Sequence, residues 1–255
     1  MMEIQIDKQG GVLRITINRP EKKNSITVAM YQAMADALKS ARADAEVRAV
    51  LITGQPGMFT AGNDLGDFID KPPAGGDSPV FQFLDALSRC EKPIVAAVTG
   101  VAVGIGTTML LHCDFVYVAD NAKFSLPFAT LGLVPEAASS YLLPLVAGYQ
   151  RAAELMLLGE PFSAVKAKEA GFVTEVLPAD EVMAAAERTA AKLVALPGKS
   201  VRTTKALLKV AHGAQIARQM QDEGAHFRAM LAEPAAREAF SAFFEKRKPD
   251  FSKFE

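Results

Sequence analysis

The sequence holds two cysteines, Cys90 and Cys113, in 255 residues, too few for a disulfide framework. It has no excess of either charge: 28 Lys and Arg against 29 Asp and Glu leave a formal charge of -1. No uniform basic field is therefore present of the kind that drives non-specific nucleic-acid binding. A metal-ligand pattern is also missing. His112, Cys113 and Asp114 are consecutive, so their side chains diverge, and no second ligand pair has metal spacing. No repeat of fixed period runs along the chain. The opening MMEIQIDKQGG lacks the basic and apolar regions of a secretory signal, and the final Ser252-Lys253-Phe254-Glu255 is not a Ser-Lys-Leu address. These absences predict a reducing, cytoplasmic setting, no nucleic-acid partner and no metal.

Only one apolar run approaches membrane length. Ile94 to Leu111 is 18 residues without a charge, at the edge of what a spanning helix needs. Its first half is rich in β-branched residues, and glycines at 100, 104 and 106 interrupt it where a strand would hand over to a helix. The reading is a buried strand, turn and helix, with no membrane span. Half of the residues are hydrophobic and 22% are charged, the composition of a soluble globular protein with one full core and an appendage.

Val12 to Ile17, Ala49 to Thr53, Ile94 to Thr99, Asp114 to Val118 and Phe172 to Leu177 read as strands from their β-branched content and flanking turns. Helical patterns lie between them. Thr27 is placed to cap a helix in which Val28, Tyr31, Met34, Ala35 and Leu38 form one apolar stripe. Residues 178 to 195 and 199 to 248 are almost wholly helical in pattern, with Leu196-Pro197-Gly198 as the break. The alternation predicts an α/β core over residues 1–196 and a helical region over 197–255. Lys71 to Pro79, KPPAGGDSP, is the one loop whose composition suggests mobility.

Three segments carry candidate chemistry. Gly104-Ile105-Gly106 follows a strand and opens a helix; Met109 stands where a dinucleotide fingerprint would place its third glycine, which weakens that reading. Helix-start N–H groups there can face an anion or a carbonyl oxygen, and close packing explains the glycines equally well. Met58 to Leu65 puts small residues after a strand, where backbone groups can approach a ligand, while Asp64 is as well placed to cap the next helix. Glu136, in Leu131-Gly132-Leu133-Val134-Pro135-Glu136, is an acid in apolar sequence whose pKa desolvation can raise; it also suits a helix start. Lys246-Arg247-Lys248 closes a helix or meets a phosphate.

Taken in order, these segments resemble the enoyl-CoA hydratase/isomerase (crotonase) superfamily over nearly the whole chain. The strongest elements are Phe59-Thr60-Ala61-Gly62-Asn63-Asp64-Leu65, Ile94 to Val98 with Gly100 and Gly104, Cys113-Asp114, Phe124, Pro127, Leu131-Gly132 and Glu169-Ala170-Gly171-Phe172-Val173. The resemblance implies an α/β spiral of ββα units with a C-terminal helical trimerisation region. It implies a homotrimer or dimer of trimers, an acyl-CoA substrate and no separate cofactor. Asn63 and Ile105 fall where the family's two backbone N–H donors hold the thioester oxygen. CoA contacts fall at Lys23, Ser25, Ala61, Asp64 and Leu65.

The family's hydratases use two glutamates, and the matching positions here are Thr108 and Phe128, neither of which can act as a proton-transfer group at neutral pH. The stretch from Pro127 through Ser140 looks instead like the peroxisomal-type Δ3,Δ2-enoyl-CoA isomerase branch, in which the glutamate at Glu136 is the catalytic base. The expected activity is a shift of a 3-enoyl-CoA to the 2-trans isomer. The alternatives are a hydratase of fatty-acid β-oxidation, with Asp64 or Glu160 as the missing acid, and a non-catalytic acyl-CoA or partner-binding protein.

Overall fold

The computed structural model describes residues 2–70, 75 and 77–254. Most of the loop expected to be mobile, 71–79, lies outside the described residues. β1 (Ile4–Gln9) and β2 (Val12–Ile17) form an antiparallel hairpin. Parallel strands β3 (Ala49–Thr53), β4 (Ile94–Val98), β6 (Phe115–Ala119) and β9 (Glu175–Leu177) extend it to six strands in the order β1-β2-β3-β4-β6-β9. β3 and β4 are buried along their whole length, as parallel strands covered on both faces must be, which is why they read as unbroken apolar runs.

A second sheet contains β5 (Val101–Val103), β7 (Lys123–Ser125) and β8 (Phe162–Ser163). Two long strands of the first sheet thus turn directly into short strands of the second, β4 into β5 and β6 into β7, giving the ββ part of each ββα turn. This corrects the reading of Ile94 to Leu111 as strand, turn and helix: the run holds two strands. After Gly104 comes a single helical turn, α4 (Ile105–Thr108), and a 3-10 turn over Met109–His112. Three-residue strands are too short to show a period of their own. Likewise Phe172 leaves the predicted strand to stack edge-on against Phe124 and Phe162, with ring centroids 6.0 and 6.4 Å away.

Thr27 caps α1 (Val28–Ala43) through its side chain, which accepts from Met30 N–H. The helix packs on α3 (Pro79–Ser88), with the Tyr31 and Phe83 rings 5.5 Å apart. The short α2 (Leu65–Asp70) lies between them in sequence. α5 (Ser139–Ala147), α6 (Tyr149–Leu158) and α7 (Ala164–Glu169) follow, and α8 (Val182–Ala195) crosses the large sheet. The region 199–248 is three helices: α9 (Gly198–Lys209), α10 (Gly213–Leu231) and α11 (Pro234–Glu245). Phe227, Ala236 and Phe240 of these helices belong to the same hydrophobic cluster as the sheet. Among the described residues no helix is long and apolar enough to cross a membrane.

Candidate active site

Two loops are pinned side by side by backbone pairing. Thr60 N–H donates to Val101 O at 2.9 Å and Val103 N–H to Thr60 O at 3.1 Å, so the loop after β3 runs along β5. Gly62 has φ 89° and approaches so closely that an added Cβ would stand 2.9 Å from Val103 O; both reasons exclude a side chain. On its other edge the loop pairs with Ile26, which donates to Gly62 O at 2.8 Å and accepts from Asp64 N–H at 2.9 Å. That pairing leaves the intervening Asn63 N–H pointing away from it.

The second loop turns at Gly104, with φ 55°. Gly104 O accepts from both Thr107 N–H and Thr108 N–H at 2.9 Å, while Ile105 N–H, in the first turn of α4, has no acceptor within the helix. A Cβ on Gly106 would lie 2.5 Å from Thr60 Cγ2. Close packing thus accounts for Gly106, while Gly104 turns the chain and leaves the Ile105 N–H free of an acceptor within the helix.

The loops open onto a cavity of about 570 Å³ lined by Lys23, Ser25, Ala61, Asn63, Asp64, Leu65 and Glu136. Seven of the eight candidate residues thus meet in one place. Ile105 is not on its surface, although its neighbour Gly104 is. Phe128, Leu131, Leu133, Phe227, Phe240, Phe243 and Phe244 make the apolar wall. A larger groove of about 740 Å³ lies between α3 and α10, but none of the candidate residues reaches it.

Glu136 is 7% exposed, and its Oε1 has no hydrogen-bond partner. Burial, first, and then the nearby Glu223 push its carboxyl from 4.5 up to about 8, because both disfavour the charged form. Such a group holds a proton near neutrality and can also release it. The Tyr31 hydroxyl is pushed well up, by burial and then by Glu136, and donates to Asn63 Oδ1. Thr108 is fully buried away from the cavity, whereas Phe128 lines it.

The loop from Arg19 to Ser25 is built largely from its own hydrogen bonds. Lys23 and Asn24 both have positive φ, and the buried Asn24 side chain donates to Met58 O at 2.9 Å and Phe59 O at 3.1 Å while accepting from Arg19 N–H at 2.7 Å. Arg19 donates to Ser25 Oγ at 3.0 Å and to Asp64 Oδ2 at 2.6 Å. Burial opposes the charge of Asp64, but Arg19, Asp67 N–H and Ser25 outweigh it and hold the carboxyl below its ordinary value. Asp64 Oδ1 accepts from Asp67 N–H at 3.1 Å, so it caps α2 as well as lining the cavity. The N–H of Lys23 bonds Pro20 O and that of Ser25 bonds Lys22 O. Both amides are thus committed within the loop.

Arg247, in the basic cluster at the end of α11, is engaged by Glu238 at 2.9 Å. Burial, then Asp114, pushes the Cys113 thiol up to about 12, leaving it unreactive. Sequence reasoning missed Tyr31, taken only as core, and Glu223, one of two adjacent acids in α10. A signal for Glu223 was present: Gly224, inside a helix, is where α10 meets Phe81, whose Cε1 would lie 2.8 Å from an added Cβ.

The enoyl-CoA hydratase/isomerase family model matches residues 7–253. The chain is 32% identical over 252 residues to the 2,3-dehydroadipyl-CoA hydratase of Escherichia coli K12, covering 98% of this chain and 99% of that protein. It is 38% identical over 212 residues to enoyl-CoA delta isomerase 2 of Rattus norvegicus, covering 81% of this chain and 54% of the rat protein. A crystal structure of an enoyl-CoA hydratase/isomerase from Pseudoalteromonas atlantica T6c superposes with a TM-score of 0.93 at 43% identity, over 98% of this chain and 100% of that one. Sequence and fold agree along the full length of the two sheets and the helices behind them, and the chain belongs to the enoyl-CoA hydratase/isomerase, or crotonase, family.

Proposed function

We propose that this family member is a Δ3,Δ2-enoyl-CoA isomerase with Glu136 as its single proton-transfer group. The observation that carries the reading is the buried Glu136 carboxyl on the cavity wall, with one oxygen unpartnered and a pKa raised to about 8. Ionised Glu136 takes a proton from C2 of a 3-enoyl thioester; the C2 electron pair delocalises over the carbonyl and the double bond, and the proton returns to C4. Negative charge grows on the thioester oxygen. N–H donors at Asn63 and Ile105 would stabilise it more in the transition state than in the ground state, each by about 3 to 4 kcal/mol. One carboxyl serves both steps, so no cofactor is needed.

Hydration needs a second acid. Phe128 and Thr108 do not supply one, Asp64 is tied to Arg19, and Glu160 is exposed. Lys22 and Lys23 on the cavity rim offer cations to the phosphates of CoA, with Ala61 and Leu65 beside them. Exposed Leu207, Leu208, Val210, Phe243 and Phe244 support residues 197–255 as the oligomerisation region of a trimer or dimer of trimers. The two free thiols fit a cytoplasmic site.

The test uses 3-hexenoyl-CoA and 2-hexenoyl-CoA in separate assays. The parent should isomerise the first and leave the second unhydrated. Glu136→Gln should keep acyl-CoA binding and lose about 100- to 10,000-fold in turnover. Efficient hydration of the 2-enoyl ester, with no action on the 3-enoyl ester, would overturn the reading. Sedimentation as a monomer at micromolar concentration would remove the trimer.

A further inference from the structure

Directly after Glu136 the backbone passes through two consecutive alanines with positive φ, Ala137 at 63° and Ala138 at 53°, before α5 begins. Left-handed backbone is costly for any residue with a Cβ, and a pair without glycine persists only where its surroundings impose it. The peptide group joining these two residues is held at both ends. Its carbonyl, Ala137 O, lies 2.7 Å from His112 Nε2; a carbonyl only accepts, so the imidazole carries its proton on Nε2. Its N–H, on Ala138, donates to Glu223 Oε2 at 2.6 Å.

Glu223 comes from the middle of α10 and is 5% exposed. Its other oxygen accepts from Ser140 N–H at 2.9 Å and from the Ser140 hydroxyl, which Gln219 in turn supports at 2.8 Å. Three donors converge on one carboxylate. An amide in its place would turn an NH2 toward one of those N–H groups, so both oxygens are needed as acceptors.

We propose that Glu223 is a positioning residue for Glu136: it holds the Ala137–Ala138 peptide in its left-handed turn, with His112 on the opposite end, and thereby fixes the approach of the Glu136 carboxyl to the substrate. The inference rests on Glu136 being the proton-transfer group. A helix from the C-terminal region thus reaches back to set catalytic geometry, and a displacement of about 1 Å at such a group can cost 100-fold.

The test compares the parent with Glu223→Gln, Glu223→Asp, which keeps both acceptors on a shorter arm, and each of these combined with Ala138→Gly. Turnover and KM are measured on 3-hexenoyl-CoA, and amide hydrogen exchange across residues 137–142 is followed in the same samples. Either single variant should lower kcat by about 10- to 100-fold, with KM changed less than about 3-fold. Exchange at Ala138 and Ser140 should quicken by about 10-fold or more. Ala138→Gly, which removes the steric cost of the left-handed conformation, should restore several-fold of the lost kcat. A general loss of folding would also quicken exchange in the buried strands β3 and β4, which should stay unchanged,. The proposal is overturned by unchanged kcat in both single variants, by a loss confined to KM, by unaltered exchange, or by no recovery from the glycine. A parent inactive on 3-hexenoyl-CoA would sink the isomerase reading alone, since the exchange measurement judges the clamp without substrate.

Discussion

The Tyr31 hydroxyl donates to the side-chain oxygen of Asn63, tying the first long helix to the loop that presents the Asn63 amide. Tyr31 is fully buried and packs at a tilt against Phe83, so the bond is anchored in the core rather than at the surface.

Tyr31→Phe should therefore remove one hydrogen bond while keeping the ring. The expected cost is about 1 kcal/mol of stability and roughly 10-fold in kcat, as the donor loop loosens. Chemical denaturation and steady-state kinetics on one preparation check both. A stability loss with unchanged kcat would mean that the loop is fixed by its backbone pairing alone.

The pH dependence follows from the raised carboxyl of Glu136. Abstraction from C2 requires the ionised form, so kcat/KM should climb with pH and level off above about 8,. A profile flat from pH 6 to pH 9 would show that the free enzyme does not use a carboxyl with this pKa.

Stability should move the opposite way. Folded Glu136 keeps its proton up to about 8, whereas an unperturbed carboxyl loses it near 4.5. Between those values the folded state binds more protons, and stability falls as pH rises. Each unit of the shift corresponds to about 1.4 kcal/mol. Glu136→Gln lacks this penalty, so its Tm should differ little from the parent at pH 5 and exceed it by pH 8.5. Parallel melting curves with a constant offset across that range would contradict it.

Gly62→Ala tests the contact between the two loops. A Cβ there meets Val103 O at 2.9 Å with φ at 89°, so the expected cost is about 1 to 3 kcal/mol. Turnover should fall further than stability explains. Gly57, with φ 79° and open space around it, provides a control in which strain acts without collision.

Strands β3 and β4 and the Thr27 cap were legible because burial and capping leave their mark on neighbouring residues. The residues that line the cavity were named through the family resemblance, since the small-residue loop and the embedded acid taken alone left a loop and a helix start as good readings. What stayed hidden depends on pairing across long separations. β5 is three residues long and is recognised only through its partners Thr60 and β7. The helical Gly224 beside it is the one local mark of Glu223, whose role is set by Ala138 and Ser140, far earlier in the chain. The role of Tyr31 is invisible in an apolar stripe that reads as core.

Phe240, Phe243 and Phe244 close one wall of the cavity that Asn63, Gly104 and Glu136 also line. In the order of synthesis the polar half of the cavity leaves the ribosome long before its apolar lid. A nascent chain carrying both sheets has Phe128, Leu131 and Leu133 but still lacks Phe227 and the three phenylalanines of α11. The cavity wall is thus completed only when α11 docks, and not gradually as the sheets assemble,.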